Sequence, residues 1–203
     1  MTVIKKLVKR KENIPAMYQR AMIYFPYIVS ILRKNNVPDD FKYLAVIESN
    51  IQNVVNPMGA SGVWQIMPGA SKDMGLKVDK PNNIDERNDL IKSTIAVSKY
   101  LNWLYKQLGS WTLVAAAYNG GIGMIKRKIK TTGQGNFYLM PLNHETADYV
   151  LKISAVKELF ENHLNLEQQV FKTSIKNGEK ENDPIKTKIT IPQNFNSIKI
   201  THN

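Results

Sequence analysis

In the stretch "LAVIESN", residues 44–50, a single carboxylate, Glu48, closes a run of apolar side chains. Phe41, Leu44 and Ala45 share one helical face, and a 3.6-residue period puts position 48 next on that face. A carboxyl group pointing with core side chains has two readings. It pairs with a buried base or caps a neighbouring helix, or it is an acid kept protonated by a poorly solvated site. Desolvation raises a carboxyl pKa, and a general acid works best when its pKa lies near the operating pH. A half-buried glutamate beside a cleft is therefore the expected form of an acid that protonates a glycosidic oxygen.

Two further stretches carry side chains suited to such a cleft. "GASGVWQIMP" offers Trp64 as an aromatic face for a sugar and Gln65 as an amide for its hydroxyl or acetamido groups. "AAYNGG" places Tyr118 and Asn119 at a helix end before flexible glycines, where polar side chains can face a ligand. Singly, Trp64 and Tyr118 read as core, and Gln65 and Asn119 as turn or cap residues; their occurrence together, in this order, points to one site. Asp73, Asp85 and Glu86 are the acids available as partners for Glu48, although those of "DERND" read better as the start of the next helix or as partners of Arg87. His144, His163 and His202 lack metal-ligand spacing, and there is no cysteine, so thiolate metal sites, disulfides and cysteine nucleophiles are excluded and no cofactor or metal is expected.

The elements that must position these residues are helical between about residues 15 and 165. Pro38, Asp39 and Asp40 form a helix start, with proline in the first turn and acids at the positive end of the dipole. Positions 90, 94, 97, 101, 104 and 108 are Leu, Thr, Val, Leu, Leu and Leu, the stripe of a buried helix. Gly109 stops it and Ser110 is placed to cap the next helix, "WTLVAAAYN", which ends at Gly120-Gly121. Further helices are expected over Ile122 to Lys130 and from about Glu145 to Asn162. "NPMGASGVWQIMP", punctuated by Pro57, Gly59, Gly62 and Pro68, reads as loop or short extended structure. After about residue 170 the pattern fails. The expected layout is a basic N-terminal arm (1–20), a mainly α domain (21–168) and a linker or C-terminal extension (169–203).

The chain has 203 residues, 43% of them hydrophobic, enough for one sizeable core, and no apolar run reaches the roughly 20 residues a membrane span needs. The formal charge of +11 lies on the flanks: +7 in residues 1–34 and +3 in residues 171–203 leave +1 for the middle. Such flanks support attraction to a polyanion or to a membrane or wall surface, while the near-neutral middle, with no reading motif, argues against nucleic acid as a partner. "KRKIK", Lys126 to Lys130, is the internal basic cluster, explained equally by a solvent-facing helix side and by a phosphate site.

The stretches "YFPYIVSILRKNNVPDDFKYLAVIESN", "GASGVWQIMP", "DERND", "AVSKYLNWLY", "WTLVAAAYNGGIGMIKR" and "HETADYV" together resemble the lytic transglycosylases with a lysozyme-like domain, most closely the membrane-bound murein transglycosylase D type. They occur in the family's order over roughly residues 22–160. Val63 stands where leucine is usual, "MPGASKDMGL" replaces a Thr-containing helix start, and the tail does not match the sugar-binding repeats that often follow. The resemblance implies a lysozyme-like α-helical domain with a small loop/β region beside the active-site cleft. It implies that Glu48 is the sole catalytic acid/base, cleaving between N-acetylmuramic acid and N-acetylglucosamine with formation of a 1,6-anhydromuramic end. It implies substrate contacts for Ser49, Gln65, Tyr118, Asn119 and Tyr149, with Tyr118 and Tyr149 also lining the carboxyl. Trp64 and Met67 remain either packing or a sugar wall. The expected partner is a peptidoglycan glycan strand, the expected state a monomer, and the expected place the periplasm or outer membrane. A lysozyme-type hydrolase and a non-catalytic glycan binder are the alternatives.

Overall fold

A computed structural model describes the backbone of residues 14–133 and 135–176, and side chains within 16–162 except residue 134. Packing divides the chain into Met1–Asn162 and His163–Asn203; the site lies in the first unit. Residues 1–13 of the expected arm (1–20) and residues 177–203 of the expected extension (169–203) lie outside the described residues.

Helix α1 spans Ile14–Lys34 and carries Pro26 in its interior. It begins within a residue of the expected helical onset at about residue 15, and Met17, Tyr18 and Ala21 on it are buried. The Tyr18 hydroxyl donates to the Leu159 carbonyl at 2.5 Å and its ring lies 4.4 Å from that of Phe160. The boundary placed at residues 20/21 therefore falls inside a packed helix. After Asn35 and Asn36, a 3-10 turn Asp39–Phe41 leads directly into α2, Lys42–Ser49. A loop then folds back on itself through single bridges Val55–Ser61 and Ser61–Ile66. The short helix α3, Pro68–Asp73, starts on its proline. A two-stranded antiparallel ribbon follows, β1 (Val78–Asp79) and β2 (Ile84–Asp85), with Val78 opposite Asp85 and Asp79 opposite Ile84. This ribbon and the bridged loop are the small extended region expected beside the helices.

Helix α4, Leu90–Leu108, is the central support. Leu90, Thr94, Val97, Leu101 and Leu104 of the expected stripe are buried and Leu108 is half-buried. Asp89 caps the helix by accepting from the Lys92 amide at 2.8 Å, and Gly109 closes it in the left-handed conformation (φ 67°). Helix α5, Trp111–Gly120, follows. Ser110 occupies its N-cap position without a side-chain capping bond. Helices α6 (Ile122–Thr132) and α7 (His144–Lys176) complete the order, with a 3-10 turn Phe137–Leu139 between them. Helix α7 runs past the expected boundary at residues 168/169. Helix α4 packs against α1 and α5, and α5 against α6. Among the described residues no helix is long and apolar enough to cross a membrane.

Candidate active site

Glu48 sits in the last turn of α2, whose preceding residues Leu44, Ala45 and Val46 are buried. The helix cannot continue, because Asn50 and Ile51 both adopt positive φ (53° and 58°). A β-branched residue in that region is strained, and Ile51 is held there by burial at 1% exposure. The Asn50 carbonyl is also fixed from α1, where Arg20 Nε donates to it at 2.7 Å. The turn beyond the acid is thus clamped from two sides.

The Glu48 carboxyl is half-buried, and Oε1 accepts a hydrogen bond of 2.5 Å from the hydroxyl of Tyr149 on α7. Burial pushes the carboxyl pKa above its ordinary value, opposed by the Tyr149 hydrogen bond and, more weakly, by the charge of Lys152. Among the described residues, no carboxylate is one of the groups that shift it. Tyr149 is 3% exposed, and its phenol is pushed well up by burial first and by the charge of Glu48 second. Tyr118 shows the same ordering of causes, so its hydroxyl also senses Glu48. That hydroxyl donates to the Trp64 carbonyl at 2.8 Å, tying the end of α5 to the glycine-rich loop. Gly120 permits the approach of α5 to α7: a Cβ there would lie 2.8 Å from Thr146 Oγ1.

The remaining expected residues fall into different places. The Ser49 hydroxyl lies 2.8 Å from the Val63 carbonyl and 3.2 Å from that of Ala45, and accepts from the Gln52 amide, so it braces the loop. Gln65 has φ 48°, and its amide nitrogen donates to the carbonyls of Val54 and Gly62, both at 2.9 Å. Its carbonyl oxygen is what remains for a ligand. Asn119 is half-buried, with no side-chain partner among the described residues. Trp64 is fully buried with its indole N–H on Thr94 Oγ1 at 3.0 Å, so it packs the core and presents no wall to a sugar. Met67 is 42% exposed and lines a groove.

That groove has a volume of about 720 Å³ and adjoins the site through Gln65 and Tyr118. Its walls include Met67, Met74 and Ile122, together with Tyr100 and Trp103, whose rings stack at 5.8 Å and 17°. Sequence reading overlooked this pair, although aromatics at i and i+3 on one helix, outside the buried stripe, are a usable signal. It also saw Arg87 only as a partner for nearby acids. Arg87 is 4% exposed, forms a two-pronged pair with Asp85 (2.8 and 2.7 Å), and donates to the carbonyls of Gly59 and Ile66. It thereby holds both ends of the loop that bears Trp64 and Gln65.

A helical core that presents one half-buried acid at a helix end, beside a groove walled by a glycine-rich loop, defines a lysozyme-like domain. The chain matches the family described as transglycosylase SLT domain over residues 26–141, more than half its length. It belongs to that family. Membrane-bound lytic murein transglycosylase D of Escherichia coli (strain K12) is 32% identical over 164 residues, 78% of this chain and 36% of that protein. The chain therefore spans about a third of that relative. An inactive mutant of lytic transglycosylase Slt from Pseudomonas aeruginosa has the same fold, with TM-score 0.61 and 20% identity over 80% of this chain and 28% of that one. The 70 kDa soluble lytic transglycosylase of Escherichia coli gives TM-score 0.50 and 23% identity over 62% and 22%.

Proposed function

We propose that this chain is a peptidoglycan lytic transglycosylase, with Glu48 as its single acid and base. The observation that carries the reading is the half-buried Glu48 carboxyl, held by the Tyr149 hydroxyl, raised in pKa by burial and perturbed by no second carboxylate among the described residues. Retaining and inverting glycosidases need two carboxylates at defined separation. A site with one acid fits a reaction in which the substrate supplies its own nucleophile. The Glu48 O–H protonates the oxygen linking N-acetylmuramic acid to N-acetylglucosamine, and the bond from that oxygen to muramic C1 breaks. The muramic C6 hydroxyl oxygen closes on C1, and its proton returns to the Glu48 carboxylate. The product is a 1,6-anhydromuramic end, and no water is consumed.

Tyr149 fixes the rotamer of the acid and Tyr118 closes the wall beside it. The Gln65 carbonyl and the Asn119 amide supply polar contacts to the glycan. Family membership and the relative named for lytic murein transglycosylase activity support the substrate class. Such a substrate places the protein in the cell envelope, the periplasm or the outer membrane, and one chain supplies every site residue named here.

A hydrolase on the same scaffold has one observation in its favour: Asp73 lines the adjoining groove. Digestion of purified peptidoglycan and weighing of the muropeptides separates the two. Ends lighter by one water and resistant to borohydride are expected. Hydrated, reducible ends, lost in Asp73→Asn, would establish hydrolysis instead.

A further inference from the structure

The groove beside the acid holds two charges that a neutral glycan does not need. Lys99 of α4 and Asp73 of α3 both line it, and among the described residues neither side chain has an ion-pair or hydrogen-bond partner. An N-acetylated glycan whose lactyl groups are amide-linked carries no charge along its backbone. Stacked rings, methionine side chains and amides suffice to hold it. Lys99 is exposed and lies one helical turn before Trp103 on α4, and both line this groove, whose wall is otherwise largely apolar. A compact, strongly hydrated cation in that position gains by meeting an anion.

We propose that Lys99 is a specificity-determining residue that binds a carboxylate carried by the muramic substituent of the glycan, a reading that rests on peptidoglycan being the substrate. Two sources present that chemistry: the free lactyl carboxylate of an unsubstituted muramic residue, and a carboxylate of the peptide attached to it. Asp73 keeps the groove near neutral overall, so the attraction is local to the lysine and not a general positive field.

Binding measured in the Glu48→Gln background, where ligand is not consumed, tests this with three probes: a neutral chitin oligomer, a bare muramic-containing oligomer and the same oligomer bearing its peptide. In that background Lys99→Met weakens the carboxylate-bearing probe about three- to tenfold at low salt. It leaves the chitin oligomer unchanged, and Lys99→Arg restores most of the loss. Which muramic probe responds identifies the source of the carboxylate. Asp73→Asn does not weaken either one, since it removes only a repulsion. Unchanged binding of both muramic probes, or an equal loss for the chitin oligomer, overturns the role of Lys99 while leaving the peptidoglycan reading intact. Failure of every probe to bind the parent protein overturns both.

Discussion

Glu48 is an acid whose neutral form the fold favours, and this sets how activity and stability respond to pH. A general acid works in its protonated form, so in the role proposed for Glu48 the rate falls as pH rises through the raised folded pKa. The Tyr149 hydroxyl donates to the carboxylate and holds that pKa down. Tyr149→Phe removes this opposition, and the alkaline limb of the rate profile should move to higher pH while the maximal rate falls with the looser rotamer. A limb that stays fixed would mean that Tyr149 acts only in packing. Stability follows the same linkage. A carboxyl with a folded pKa above its unfolded value stabilises the fold below the unfolded pKa, and that contribution is lost as pH rises through the folded one. Glu48→Gln should therefore melt higher than the parent above the folded pKa, with the difference shrinking as pH falls through it and gone below the unfolded pKa, the ordinary carboxyl range. Its activity should drop ~10²–10⁴-fold, the usual effect of losing a general acid.

At the scale of elements, the loop between α2 and α3 is positioned by backbone geometry as much as by side chains. Gly62 has φ 80°, and a Cβ there would lie 2.0 Å from the Arg87 carbonyl oxygen. Gly62→Ala should cost at least about 2 kcal/mol in chemical denaturation, from the unfavourable φ and the overlap together. A cost near zero would show that the loop adjusts freely around Arg87. The sequence made part of this architecture readable. The α4 stripe, its stop at Gly109 and the end of "WTLVAAAYNGG" are local, periodic signals, and they coincide with the observed helices to within a residue or two. The reach of Arg87 to Gly59 and Ile66 was not readable, since it joins carbonyls 28 and 21 residues away and depends on how the loop folds back. Trp64 shows the same limit. Residue type allowed either core or sugar wall, and only the position of Thr94 across the core settles that its indole N–H is used inside. Tyr149 entered through family resemblance, because no local pattern links it to an acid 101 residues earlier.

For the whole molecule, the informative boundary is at the N-terminus. Sequence composition assigned residues 1–20 to a charged arm, but the apolar members of that segment, Met17 and Tyr18, are 3% and 7% exposed. Charge averages over a window, whereas burial follows individual side chains, so a packed helix can extend into a segment that composition marks as basic. A chain beginning at residue 21 should melt several degrees below one beginning at residue 14, because it loses the Tyr18 contacts with Leu159 and Phe160. Equal melting temperatures would assign those contacts no weight. The same geography bears on heat inactivation. The Tyr149 hydroxyl is a clasp between α7 and the end of α2, so any local opening that lifts α7 away also releases the acid from its fixed rotamer. Warming should therefore silence the proposed activity before the helices melt, and cooling should restore it without refolding the core.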